Sequence, residues 1–285
     1  AFRVQRESQK GNPYFNAHDR LRGILFEGAS GSITNNKVID INQGSSGCQE
    51  GNGIEVRNTP FDGTHPNTQS VTITGNEVKN FQKNGITANG DVFAVIRKNT
   101  VTGLGPIVYN AQNGIQMGFG AYGQVRDNSV TGNWYTGANW TASGVLLFES
   151  SNVMVQDNVV TGSQSGLVAE SWCWFAPAAD NNQFVRNKVA GAEWGVTVAS
   201  VGWSGYRTCS ASADTNKVVN NTITGPGDTG VFVGSWVVSG GFTPTANKNK
   251  VIANKITDTR RPSVTWGPRQ RCTPTGRAPR EAMRS

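Results

Sequence analysis

Apolar and polar residues alternate in short runs along most of this chain. Ser70–Val78, SVTITGNEV, sets Val71 and Ile73 on one face and Thr72 and Thr74 on the other. That is a period of two, the mark of a half-buried strand. Val, Ile and Thr fill the runs, and Gly, Asn and Asp punctuate them, which is strand-and-turn chemistry. No window carries the i, i+3, i+4, i+7 apolar spacing of a capped helix.

The runs repeat. Gly followed by an apolar residue recurs at Gly23, Gly53, Gly85, Gly114, Gly144, Gly166, Gly195 and Gly230. Between these lies an Asn-x-apolar module, at Asn36, Asn76, Asn99, Asn128, Asn158, Asn187, Asn221 and Asn254, at spacings of 40, 23, 29, 30, 29, 34 and 33 residues. A constant module at variable spacing describes a fixed scaffold with loops of different length. Two or three short strands per repeat predict an all-β coil of parallel strands with about eight rungs, a rod roughly 38 Å long at the usual strand spacing. The recurrent Asn is expected to stack on its counterpart one coil away and to supply the left-handed bend. The Gly reads as a corner, with the next residue pointing inward.

If that residue faces the core, two rows face outward from the same sheet. They are Leu25, Glu55, Thr87, Gln116, Leu146, Val168, Thr197 and Phe232, and then Glu27, Arg57, Asn89, Gly118, Phe148, Glu170, Ala199 and Gly234. Their N-terminal half is polar. The loops beyond their C-terminal half carry Trp172, Trp174, Trp203, Tyr206 and Trp236, while Trp134, Tyr135 and Trp140 fall between two central modules and are placed elsewhere.

Rings at one edge of successive coils would line a groove, and sugars stack on aromatic faces. The same rings equally suit loop caps or an interface. Hydrolysis needs two acids roughly 5–10 Å apart, a spacing open to Glu27 with Glu55 and to Glu149 with Glu170. Elimination needs a base and a cation for the uronate carboxylate, where Arg57 and Lys83 are the best offerings. The catalytic candidates are therefore Glu27, Glu55 and Arg57. The substrate-binding candidates are Asn89, Gln116, Glu170, Trp172, Trp174, Trp203 and Trp236. The pairs His18-Asp19 and Asp62…His65 lack a partnered Ser nucleophile.

Charge alters the picture little. The net +7 is concentrated in Thr259–Ser285, which holds seven Arg and one Glu and leaves the rest close to neutral. Residues 1–258 read as the β-helix and 259–285 as an irregular basic tail outside the repeat, so no nucleic-acid role is inferred. No apolar run of about 18 residues exists to span a membrane, and the opening Ala1-Phe2-Arg3-Val4 suggests a leader lost upstream. Cys173 and Cys209 sit in loops expected to lie above one another and are disulfide candidates. Cys48 and Cys272 remain unassigned. With two His and no Cys-x-x-Cys, no metal or cofactor is expected.

On its Gly-Ile-x-Val and Asn-x-Val-x-Gly modules, and on phrases such as Gln82-Lys83-Asn84-Gly85-Ile86 and Gln112-Asn113-Gly114-Ile115-Gln116, the chain resembles the pectate-lyase-like right-handed parallel β-helix superfamily over residues 21–258. It is most similar in flavour to secreted bacterial β-helix-repeat proteins. The resemblance implies a fold shared by polysaccharide lyases, glycoside hydrolases, epimerases, phage tailspikes and proteins of copper-site maturation. The paired Asp of polygalacturonases and the Asp-rich calcium cluster of pectate lyases have no counterpart here, so no catalytic residue carries over. The expectation is a secreted, carbohydrate-associated β-helix acting on a polysaccharide or glycan as a lyase or glycoside hydrolase, monomeric or trimeric. The alternatives are a non-catalytic glycan-binding or structural rod and a trimeric tailspike-like adhesin.

Overall fold

The computed structural model describes residues 21–42, 44–45, 51–58, 67–138, 140–174, 176–203, 209–240 and 242–257. Its strands form three parallel sheets of eight strands each, and every strand pairs with its counterparts one coil away. The first sheet stacks Arg22–Glu27, Asn52–Asn58, Asn84–Gly90, Asn113–Gly118, Ser143–Phe148, Ser165–Ser171, Trp194–Gly202 and Thr229–Val237. The second stacks Gly31–Thr34, Gln69–Thr74, Val92–Arg97, Tyr122–Arg126, Val153–Gln156, Gln183–Val185, Lys217–Val219 and Lys250–Ile252. The third stacks Lys37–Ile39, Glu77–Lys79, Thr100–Ile107, Ser129–Tyr135, Val159–Thr161, Lys188–Ala190, Thr222–Thr224 and Lys255–Thr257. The result is the expected parallel β-helix of eight rungs.

The core is a stack of like on like. Ile54, Ile86, Ile115, Val145, Leu167 and Val196 descend inside the first sheet, while Val78, Val101, Val130, Val160 and Val189 descend inside the third, all buried. Each rung buries its alternate apolar residues against its neighbours. On the last described rung, Val251 and Ile256 are half exposed.

The asparagine ladder is present over seven links. Asn158 Nδ2 donates to Asn187 Oδ1 at 3.0 Å and to the Val125 carbonyl at 2.8 Å, while its own Oδ1 accepts from Asn128 Nδ2 at 2.9 Å. The same pattern runs from Asn36 to Asn254. Each buried amide is thus saturated at the corner between the second and third sheets. The left-handed bend, however, falls one residue earlier than expected. Asn35, Lys98, Asp127, Asp157, Arg186, Asn220 and Ala253 have φ between 53° and 57°, and Gly75 supplies the same bend at 69°. The ladder Asn is selected for its amide.

The repeated Gly is not a corner either. None of the eight has positive φ. A Cβ on Gly53 would lie 2.6 Å from the Gly85 carbonyl oxygen and closer still to Val78 Cγ1, and Gly144 meets Gly166 and Val160 in the same way. These glycines are required by close approach of the third sheet to the first.

Candidate functional site

Both outward rows of the first sheet stand in the expected register. Leu25 pairs with Glu55, Glu55 with Thr87 and Thr87 with Gln116, while Glu27 pairs with Arg57 and Arg57 with Asn89. Glu27 and Glu55 are therefore diagonal neighbours, but each faces its own arginine. Glu55 is buried and accepts from Arg22 Nε and, at 3.1 Å, from Asn52 Nδ2. Glu27 is exposed and accepts from Arg57 Nε at 3.0 Å and Nη2 at 2.5 Å. The three catalytic candidates are gathered, but as two closed ion pairs.

Beside them the polar side chains bond to one another. Asn113 Nδ2 reaches Asn84 Oδ1 and Gln116 Oε1 at 3.1 and 3.2 Å, and Gln116 Nε2 and Thr87 Oγ1 both donate to Asn89 Oδ1. Gln116 and Asn89 are buried within this network. Lys83 directs Nζ at the Ala111 carbonyl, 2.8 Å away, at the entry edge of the sheet. Burial lowers its pKa to about 8.

The aromatic half is organised differently from a row. Trp140 precedes the strand Ser143–Phe148 at the entry edge, whereas Trp172 and Trp174 lie at and beyond the exit edge of Ser165–Ser171. A strand of this length spans roughly 20 Å. Yet Trp140 lies 6.5 Å from Trp172 and 6.2 Å from Trp174, centroid to centroid. The two loops must lean toward each other over the outer face. Trp203, from the next rung, joins at 6.2 and 5.8 Å from Trp172 and Trp174, and Phe148 packs on Trp174 at 5.2 Å. Most of these contacts are edge-on or tilted, the geometry ring quadrupoles favour.

The rings therefore form an aromatic bridge across the sheet, anchored by the disulfide Cys173–Cys209 with its Cα atoms 6.2 Å apart. The outward Val168 is buried. Trp140 itself is 54% exposed and offers a face to solvent. Sequence order alone places Trp140 elsewhere, because it carries no information on the direction in which a loop leans. Trp236 does not join the bridge; it packs on Phe232 on the eighth strand.

Two carboxylates belong to the bridge. Glu170, half buried, accepts a 2.6 Å hydrogen bond from Trp172 Nε1. Burial, opposed by that bond and reinforced by the charge of Glu149, pushes its pKa up to about 7. Its Oε2 has no hydrogen-bond partner in the described residues. Glu149 is fully buried, and its two oxygens accept from the backbone amides of Trp174 and, at 2.9 Å, Ala176. One acid thus shapes the loop that carries the tryptophans, and the other presents a carboxyl held near neutrality.

Among the described residues no group of three His, Cys, Asp or Glu side chains is placed to hold a metal. The candidates His18, Asp19, Cys48, Asp62, His65, Tyr206, Cys272 and the segment 259–285 lie outside the described residues.

Comparison with curated proteins and with solved structures gives no match. A family model, described as the right handed beta helix region, matches residues 62–256, a span that includes every residue of the bridge. With three parallel sheets, a continuous stacked core and that match, the chain belongs to the right-handed β-helix family.

Proposed function

We propose that this protein is a secreted carbohydrate-active β-helix that binds a glycan at the aromatic bridge and hydrolyses it, with Glu170 as proton donor. The observation that carries the reading is the Glu170 carboxyl, its pKa near 7, hydrogen-bonded to Trp172 inside a cluster of four tryptophans. Protonation of a leaving glycosidic oxygen calls for a carboxylic acid that keeps its proton near neutral pH, and indole faces suit the C–H surfaces of sugars. Hydrolysis is favoured over elimination because the uronate carboxylate of a lyase substrate needs a cation. Arg57 is paired with Glu27, and Lys83 bonds the Ala111 carbonyl at the opposite edge of the sheet. The Cys173–Cys209 disulfide supports an oxidising, extracellular setting.

A second reading, a non-catalytic glycan-binding rod, is favoured by one observation. Both oxygens of Glu149 accept backbone hydrogen bonds, so the second carboxylate that hydrolysis requires is engaged elsewhere. A tailspike-like trimer calls for an apolar stripe along the rod. Among the described residues the exposed large apolar side chains make no such stripe: Phe232, Trp236, Val237, Val251 and Ile256 sit on the last rung, while Leu25, Val108 and Val159 stand on separate earlier rungs.

The test is a polymer screen covering xylan, cellulose, pectin, alginate, hyaluronan and chondroitin. It scores new reducing ends together with the ultraviolet absorbance of unsaturated uronates. New reducing ends alone, abolished by Glu170→Gln, support hydrolysis. Unsaturated product refutes it in favour of a lyase. Binding without product, lost in Trp172→Ala, supports the non-catalytic rod.

A further inference from the structure

The second sheet carries a feature unrelated to the bridge. Its outer face holds a depression of about 280 Å³ on the third to sixth rungs. Phe93 and Tyr122 are partners in register, and their rings meet at 5.5 Å with a tilt of 59°. In the neighbouring row Gln124 pairs with Met154 and Met154 with Gln183, all half exposed. Asn152 and Asn181 rim the depression, Asn181 Nδ2 donating to Asn152 Oδ1 at 2.7 Å. Both have positive φ, at 61° and 56°, and turn the chain away at this edge.

Two properties of this lining point to a ligand class. First, the primary amides of Gln124 and Gln183 and the hydroxyl of Tyr122 make no side-chain hydrogen bond within the described residues, although elsewhere on the rod amides bond to one another along the stack. They offer both donors and acceptors, the inventory that a sugar hydroxyl requires. Second, the lining holds two aromatic rings and a thioether but no ionisable carboxylate, amine, guanidinium or imidazole. The lining itself offers an entering charge no partner, and Arg126, two residues beyond Gln124, is held by Asp127 at 2.6 Å. The depression follows the rod axis over three rung spacings, roughly 14 Å.

We infer that the second sheet is a separate binding site for a neutral glycan, laid along the rod with its C–H faces on Phe93 and Tyr122 and its hydroxyls on Gln124 and Gln183. This inference does not rest on the hydrolase reading, because the two sites lie on different sheets.

The test is calorimetric titration of the whole protein with xylohexaose, cellohexaose, mannohexaose and laminarihexaose. The variants are Gln124→Ala/Gln183→Ala, Tyr122→Ala and, as a control on the other sheet, Trp172→Ala, with melting curves confirming that each folds. At least one oligosaccharide should bind the native protein and still bind Trp172→Ala, in which the bridge is disrupted and any remaining binding reports the second sheet. The double glutamine variant should lose about tenfold in affinity, the equivalent of two modest hydrogen bonds, and Tyr122→Ala should lose binding further. The inference is overturned if no neutral oligosaccharide binds at millimolar concentration. It is also overturned if binding survives both sheet-two changes, and loss in Trp172→Ala alone would assign the glycan to the bridge.

Discussion

Trp172 lies two residues after Glu170, just past the exit edge of the strand Ser165–Ser171, and its indole Nε1 donates to the carboxyl Oε1 of Glu170 at 2.6 Å. An indole donor favours the ionised carboxylate, yet the pKa of Glu170 rises to about 7. Desolvation beneath the aromatic bridge therefore outweighs the bond, with the neighbouring charge of Glu149 adding in the same direction. The bridge is at once the hydrophobic cover of the sheet and the cause of the proton affinity at its centre.

A pH dependence follows from this. In the unfolded chain Glu170 titrates at its ordinary value of 4.5, and in the folded protein near 7. Between those values the folded state holds the extra proton, so the contribution of this group to stability is complete below pH 4.5 and is lost as pH rises through 7. Glu170→Gln removes the ionisable group while keeping the shape. Melting temperatures from pH 4.5 to 7.5 should fall with rising pH more steeply in the native protein than in the variant. Parallel curves would refute the desolvated, proton-retaining state.

The ladder gives a second prediction. Asn158→Ala deletes two donated bonds, to Asn187 and Val125, and strands the Asn128 amide without its acceptor. Leaving such groups buried and unpaired costs about 1–3 kcal/mol each, so the variant should lose roughly 3 kcal/mol or more in denaturant unfolding. Asn254→Ala, at the partly buried last link, should lose less. Equal losses would mean that the stack contributes no more in the interior than at its end.

Two glycines separate steric need from backbone need. At Gly144 a Cβ would meet the Gly166 carbonyl oxygen at 2.7 Å as well as Val160, with an ordinary backbone angle. At Gly162 φ is 57° and nothing lies within 4 Å of the added atom. Gly144→Ala should therefore cost about 2–3 kcal/mol, as overpacking does, and Gly162→Ala about 1 kcal/mol from the left-handed angle alone. Urea midpoints of the two variants decide the order. The reverse order would contradict the packing role of the repeated glycine.

How far the sequence reaches is visible in these same residues. The alternation around Val71 and Ile73 and the interleaved Gly and Asn series specify the three sheets, the register of both outward rows and the ladder, because stacking identical modules leaves each position one geometric neighbour. Why Gly and Asn recur is less legible. The left-handed residue before each Asn is Asn, Gly, Lys, Asp, Arg or Ala, so no single residue type announces it. The site is less legible still. Glu27, Glu55 and Arg57 follow from the register, and so does the Glu27–Arg57 pair, but the closure of Glu55 depends on Arg22 from the start of the first strand. The lean of the Trp140 loop over the sheet is a tertiary fact with no local signal.

The disulfide decides how firmly the bridge is held. Cys173 neighbours Trp172 and Trp174, and Cys209 follows Trp203 by six residues in sequence, the disulfide closing a sequence separation of 36 residues. On the chain-entropy account a loop of that size contributes about 3–4 kcal/mol. The double variant Cys173→Ser/Cys209→Ser should therefore melt earlier while keeping its β-rich far-ultraviolet spectrum, since Glu149 still holds the loop through the amides of Trp174 and Ala176. Its near-ultraviolet signal, dominated by packed indoles, should weaken as Trp203 separates from Trp172 and Trp174. On the proposed glycan reading, affinity at the bridge should fall with it. An unchanged near-ultraviolet spectrum would show that ring packing alone fixes the tryptophans and that the disulfide acts only on the unfolded chain.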